Sequence, residues 1–327
     1  MRIPDKLQRG DGVRVLTPAR TIKLPFITQA AIDIALKRFD SMGLKVSFGK
    51  HIEETNHFSS SSVESRISDL HDAFEDPSVK LILTVIGGYN SAEMLDYIDY
   101  KLIKKNPKAL CGYSDITAIL NGIHRKTDIV TYYGLHFFDF GELEGFDYSL
   151  DYFKKCIFDR PPFEVRPSEK WSNDKWANCQ NDREFIENTG FSIINEGQVE
   201  GTILGGNLVT FCGISGTPYS PKFKNTILFL EEDEEEHLLS FVRNLTSLTS
   251  RKDFSEVKAI VFGRFQPESK ITKTDILEVV KNNEKLQGMP MIMGVDFGHT
   301  SPRITIPIGG TCNLEATKNP KLRILAH

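Results

Sequence analysis

Residues 79–88 read Val-Lys-Leu-Ile-Leu-Thr-Val-Ile-Gly-Gly. Apart from one lysine and one threonine the run to Ile86 is aliphatic, and it shows no alternation of apolar and polar residues. Such a run is what a strand covered on both faces requires, and strands of that kind belong to parallel sheets. The two glycines predict a sharp exit from the strand with the backbone left bare. Upstream, Val13–Leu16 reads as a short strand after the Gly10-Asp11-Gly12 turn. Residues 27–42 (ITQAAIDIALKRFDSM) have helical periodicity and stop at Gly43. Leu44–Phe48 reads as a strand, and SSVESRISDLHDAFEDP as a second amphipathic helix ended by Pro77. Downstream, the pattern predicts a helix over Ser91–Tyr97, a strand over 108–111, a helix from Ile116 and a strand near Val130–Tyr132. Strands and helices in alternation specify a parallel sheet with helices on both faces.

The rhythm stops near residue 160. The polar stretch over 161–198 holds both tryptophans, Trp171 and Trp176, and reads as a crossover or long loop kept in order by rings that need cover. The rest of the chain carries shorter strands: EGTIL, NTILFLE, VKAIVFGRF, PMIMGV, RITIPIG and LRILAH, with helices over 234–247 and 273–283. The expected fold class is therefore α/β: an N-terminal three-layer parallel-sheet domain over 1–160, Rossmann- or flavodoxin-like, the crossover over 161–198, and a smaller β-rich domain over 199–327.

Bulk properties narrow the function. With 327 residues the chain can build one large or two medium domains. A net charge of −4 gives no general attraction to nucleic acid or to an anionic membrane. No apolar run reaches bilayer length, and MRIPDKLQRGDG lacks the apolar core of a secretory signal. The five cysteines are scattered without a CxxC pair, which points away from zinc ribbons and disulfide frameworks and towards a reducing cytoplasm. No HExxH, His/Cys cluster or EF-hand loop is present, so no metal is expected.

Two turns fall at strand carboxyl ends, where α/β sheets bind ligands. One is Gly87-Gly88-Tyr89-Asn90-Ser91, whose amides suit an anion although GxGxxG is absent. The other is Gly112-Tyr113-Ser114-Asp115, a serine on a strand-to-helix turn. Ser114 is expected both to open its helix and to present its hydroxyl, with the amides of Gly88 and Asp115 as oxyanion donors. A serine nucleophile needs a base and an orienting acid. Of eight histidines, His299 stands out, lying beside Gly298 in a Pro-bounded loop. His136, in GLHFFDFG, reads as aromatic core. Glu231 ends the apolar run NTILFLE and is favoured as the acid over Glu232 and Asp233, while Glu234, Glu235 and Glu236 read as a solvated helix start.

These motifs, with Gly205-Gly206-Asn207-Leu208 and Val261-Phe262-Gly263-Arg264, follow the order seen in the LD-carboxypeptidases, a family that the chain resembles over roughly residues 13–310. The resemblance implies a serine peptidase with Ser114 as nucleophile, His299 as base and Glu231 as orienter, acting at a domain interface in a cytoplasmic homodimer without a cofactor. One branch of the family trims D-alanine from murein tetrapeptides. The other, the microcin C self-immunity proteins, cleaves an amide between an aspartyl residue and a modified nucleotide. Asn90 and the Trp171/Trp176 loop resemble the second branch, and an indole would stack on a nucleobase. Gly87, Asn90, Trp171, Trp176 and Asn207 are the expected substrate contacts. A non-catalytic two-domain cleft holding an anion on the glycine turn is the rival from another class.

Overall fold

The computed structural model describes residues 1–160 and 162–327; Pro161, the first residue of the expected crossover, lies outside the described residues. The chain runs β1 (Gly12–Leu16), α1 (Gln29–Ser41), β2 (Lys45–Phe48), α2 (Val63–Glu75), β3 (Val79–Thr84), α3 (Tyr100–Lys105), β4 (Ala109–Gly112), α4 (Thr117–Thr127), β5 (Thr131–Tyr133) and α5 (Asp147–Ile157). It continues with β6 (Phe163–Val165), β7 (Lys170–Trp171), β8 (Ile186–Glu187), β9 (Ser192–Asn195), β10 (Gly197–Asn207), α6 (Leu208–Gly213), β11 (Thr226–Glu231), α7 (Leu238–Thr249), β12 (Val257–Gly263), α8 (Lys273–Lys281) and β13 (Met291–Val295). Strands β14 (Ile306–Ile308), β15 (Thr311–Ala316) and β16 (Lys321–Ala326) complete it.

The fold is α/β with two main sheets. In the first, β2-β1-β3-β4-β5 are parallel, the flavodoxin-like order, with β14 added antiparallel to β5. The second sheet, ordered β6-β16-β15-β10-β11-β12-β13-β9, has a parallel centre from β10 to β13 between antiparallel flanks. Strand β3 is buried at every position but Lys80, as a doubly covered strand must be. All six residues of β11 are buried for the same reason.

Several local expectations are corrected. Residues 91–97 form a 3₁₀ turn over Ser91–Met94, and the helix starts at Tyr100, where the Asp99 side chain caps the amides of Lys101 and Leu102. Helix α7 begins only at Leu238, capped by His237, so Glu234, Glu235 and Glu236 precede the helix. The strand in RITIPIG joins the first sheet. Within the stretch read as a crossover, β6 and β9 close the two edges of the second sheet, and β7 pairs with β8 in a small hairpin. Helix α5 has no counterpart in the sequence reading.

Helix α4 packs against both sheets, touching β5 and β14 of the first and β10 of the second. Its Asn121 is fully buried, and Nδ2 donates to the carbonyls of Thr117 and Gly205, each at 2.8 Å. Removing that side chain strands a buried carbonyl of β10, and a stranded buried acceptor is destabilising. Asn121→Ala is expected to lower stability by about 1–3 kcal/mol in urea unfolding; an unchanged midpoint would show that the carbonyl finds another donor.

Candidate functional site

The carboxyl ends of β1, β3 and β4 are bound together by buried polar groups. Arg66, buried in α2, donates to the carbonyls of Pro18 and Asn90 and pairs with Glu93 at 2.6 Å. Asp115 accepts the amide of Ser91 at 2.9 Å, and Ser91 Oγ donates to the Asp115 carbonyl at 2.7 Å. The loop after β3 is thereby fixed against the loop after β4. At Gly87 a Cβ would lie 2.8 Å from Ser114 Cβ, so only glycine permits that approach.

Ser114 has φ of +61°, in the left-handed region. For a residue other than glycine this stores strain of about 1–3 kcal/mol, and such strain collects where a side chain must be aimed. The consequence corrects one expectation. Ser114 begins a 3₁₀ turn ahead of α4, but its hydroxyl caps neither the turn nor the helix. The turned backbone instead places Oγ 3.1 Å from His299 Nε2.

His299 Nδ1 lies 2.8 Å from Glu231 Oε2. An ionised carboxylate only accepts, so Nδ1 carries the proton and neutral Nε2 is left to accept from the Ser114 hydroxyl. Glu231 is fully buried at the end of β11. It keeps this position because Gly298, at φ +103°, leaves room: a Cβ there would fall 2.5 Å from Glu231 Oε2. Burial alone would raise the Glu231 pKa, but the His299 charge and hydrogen bonds from His299, Tyr133 and Asn207 bring it below the ordinary carboxyl value. Glu232 takes the other side of the chain, as strand alternation requires. It is buried, and that burial together with the charges of Glu231 and Glu236 pushes its pKa up to about 9. The acidic run is thus divided into a buried anion, a buried neutral acid and solvated carboxylates further on. Asp233 lies 3.8 Å from His299 Nε2.

Tyr133, at the end of β5, was not singled out from sequence. Its hydroxyl accepts the Ser114 amide at 3.1 Å and donates to Glu231 Oε1 at 2.6 Å. The Ser114 amide is therefore engaged, whereas the amides of Gly88 and Asp115 have no acceptor among the described residues.

Two cavities reach Ser114, one of about 290 Å³ and one of about 370 Å³. Tyr89, Asp233 and Glu235 line both, and Tyr89 donates to Glu235 across the cleft at 2.6 Å. Trp176 lines the first cavity and packs on Phe138 with ring centroids 4.5 Å apart. Trp171 is outside both and lies under the Arg264 guanidinium at 4.8 Å. Asn90 lines neither cavity. Asn207 lines the second, but its Oδ1 caps α6 through Thr210 and its Nδ2 donates to Glu232 at 3.3 Å. His136 is buried and packs against Tyr113 with the two rings tilted, as the core reading expects. Arg20, Tyr113 and Arg303 also line the first cavity and carried no sequence signal. Among the described residues no three metal-type side chains converge.

Comparison with known proteins agrees with this arrangement of two sheets. Residues 13–134 match the family model described as the LD-carboxypeptidase N-terminal domain, and residues 200–314 match that of the C-terminal domain. The chain belongs to the LD-carboxypeptidase family. It is 45% identical to the putative carboxypeptidase YocD of Bacillus subtilis (strain 168), over 95% of each chain. The probable murein peptide carboxypeptidase of the same strain is 29% identical over 94% of this chain and 89% of its own. The microcin C7 self-immunity protein MccF of Escherichia coli is 30% identical over 82% of this chain and 80% of its own. Among solved structures, an MccF-like protein from Bacillus anthracis str. Ames superposes with a TM-score of 0.98 at 44% identity, over 100% of both chains. MccF in complex with aspartyl sulfamoyl adenosine gives 0.88 at 28% identity, over 99% of this chain and 98% of its own. MccF with glutamyl sulfamoyl guanosine gives 0.88 at 27%, with the same coverage.

Two measurements follow from the geometry. Tyr133→Phe leaves the Ser114 amide and one Glu231 oxygen unpartnered, and it is expected to lower stability by about 1–3 kcal/mol in denaturant unfolding; no loss would mean that water replaces the hydroxyl. At His299, burial alone would lower the pKa, but the charge and hydrogen bond of Glu231, with Asp233, outweigh it and raise the net value above the ordinary 6.5. An NMR titration should place the His299 midpoint above 6.5 and move it down in Asp233→Asn, since a charge favouring the cation has gone. An upward move would refute the electrostatic account.

Proposed function

We propose that this protein is a serine hydrolase of amide bonds, with Ser114 as nucleophile, His299 as general base and Glu231 as orienting acid. The observation that carries the reading is the continuous chain from Ser114 Oγ through His299 to Glu231, at 3.1 and 2.8 Å, built from two loops and the end of β11. His299 Nε2 takes the hydroxyl proton as Oγ attacks the substrate carbonyl. Glu231 holds the ring and balances the imidazolium that results. The free amides of Gly88 and Asp115 receive the oxyanion, the more readily because the amide of Ser114 is already bonded to Tyr133. His299 then gives its proton to the leaving amine, and water, activated by the same imidazole, releases the acyl group.

The substrate that this reading favours is an aminoacyl–nucleotide amide of the aspartyl type, handled as a microcin C self-immunity enzyme would. Trp176 supports it, because it places an indole in the cavity that Ser114 enters, where it can meet a nucleobase. The ligands of the solved MccF complexes, aspartyl sulfamoyl adenosine and glutamyl sulfamoyl guanosine, support it too. The second reading is release of D-alanine from a murein tetrapeptide during wall recycling, which the likeness to the murein peptide carboxypeptidase favours. Five free thiols suit the cytoplasmic setting of either activity. A homodimer is carried over from the family resemblance.

Ser114→Ala, with folding intact, is expected to reduce turnover by about 10⁴- to 10⁶-fold. Offering both substrate types to the wild-type chain decides the branch, and turnover of the tetrapeptide alone would reverse the preference. Retained hydrolysis by the variant, or failure of a fluorophosphonate to label Ser114, would remove the serine from the mechanism.

A further inference from the structure

Three cations line the cavity beside Trp176: Arg20, Lys175 and Arg303. Two of them are neutralised. Lys175 pairs with Glu234 at 3.1 Å, and Arg303 pairs with Asp139 at 2.6 Å. Arg20 has no carboxylate partner among the described residues. It sits in the loop after β1, next to the loop after β3, and in a 2-1-3-4-5 sheet that is the crevice where the strand order reverses and ligands bind.

The guanidinium of Arg20 is half engaged. Its Nε donates to the Gly87 carbonyl at 3.1 Å. Its terminal nitrogens have no acceptor among the described residues, and neither is sealed from solvent. One face lies 5.8 Å from the centroid of the Tyr89 ring. The Glu235 carboxylate accepts from the Tyr89 hydroxyl and makes no ion pair with Arg20 among the described residues. The Gly87–Gly88 peptide carries its carbonyl and its amide on opposite sides, as a trans peptide must. Fixing that carbonyl therefore also fixes the direction of the Gly88 amide, the first oxyanion donor of the proposed mechanism.

We propose that Arg20 determines substrate specificity in this cleft: its two terminal nitrogens receive a carboxylate of the substrate while Nε holds the Gly87–Gly88 peptide in place. The inference rests on the amide-hydrolase reading above. A planar guanidinium matches the two oxygens of a carboxylate, and that fork is lost in lysine. A phosphate dianion would ask for more donors than one arginine offers, and it would set two negative charges rather than one against Asp233 and Glu235 in the same cavity. The carboxylate has two sources, the side chain of an acidic aminoacyl group or the free terminus of a peptide, and both are tested.

The experiment uses the full chain in a Ser114→Ala background, so that binding is read without turnover. Aspartyl sulfamoyl adenosine is compared with its asparaginyl counterpart, and L-lysyl-D-alanine with its terminal amide, by titration calorimetry. In one of the two pairs the carboxylate ligand is expected to bind about 10- to 100-fold more tightly than its carboxamide, and Arg20→Gln should reduce that preference to about 2-fold or less. Arg20→Lys should restore only part of it, and it provides a second test if the glutamine variant unfolds at a lower temperature. A preference unchanged in Arg20→Gln, or absent from both pairs in the parent, would overturn the assignment. Hydrolysis by chains that retain Ser114 is scored separately. An activity that survives Ser114→Ala defeats the hydrolase reading, whereas a Ser114-dependent activity with unchanged carboxylate preference defeats only the role of Arg20.

Discussion

The hydroxyl of Tyr133 is held between two groups from different sheets. It accepts the amide of Ser114, in the turn after β4, and donates to the carboxylate of Glu231, at the end of β11. The phenol is buried, and burial with the nearby Glu231 charge keeps it far from ionising. A neutral phenol both donates and accepts through one oxygen, and that is what a donor on one sheet and an anion on the other require. The three-residue chain from Ser114 to Glu231 is consequently a ring, closed on its far side by Tyr133. Displacing one sheet from the other would break the His299 contacts and the Tyr133 contacts together.

The cost of burying Glu231 as an anion is met locally. It receives hydrogen bonds from an imidazole and a phenol, and its neighbour Glu232 remains a neutral acid well past physiological pH. Two adjacent buried carboxylates could not both ionise without strong partners for each, and the imidazole and phenol serve Glu231, whereas Glu232 accepts the neutral Asn207 amide at 3.3 Å. The same logic explains the polar floor of the first cavity. Glu142 is buried yet accepts from Arg183 at 2.6 Å and from Ser301 at 2.6 Å, and Arg303 faces Asp139. The interior of the cleft is thus nearly neutral, and its remaining charge is concentrated on Arg20 and on the acids at the rim.

What could be read from sequence followed from residues whose neighbours along the chain reveal their surroundings. The unbroken run after Val79 has only one stable use, in a covered parallel strand, and NTILFLE delivers Glu231 to a strand end for the same reason. Ser114, His299 and Glu231 were identified by their positions at such ends, and the structure brings them within hydrogen-bonding distance. Tyr133 and Arg20 were not visible, because nothing in TYYG or TPAR says which polar group from another loop will face them. The tryptophans differ for a similar reason: Trp176 enters the cavity and Trp171 meets Arg264 only because a small hairpin turns the chain between them and the second sheet. The helix expected over 91–97 failed on capping. Asp99 supplies the side-chain acceptor that a helix start needs, while Asn90 is turned to Glu93.

The division of the cleft follows from the same placement of strand ends. The first sheet presents the glycine turn, Arg20 and Ser114, and the second presents Glu231 and the acids that follow it, with His299 from the loop after β13. Ser114 therefore faces two chambers along the boundary between the sheets, one lined by Trp176 and Arg20 and the other by Asn207 and Thr210. The Tyr89–Glu235 hydrogen bond crosses that boundary, and both residues line the two cavities together with Ser114. Tyr89 is largely exposed, and one face of its ring meets the Arg20 guanidinium.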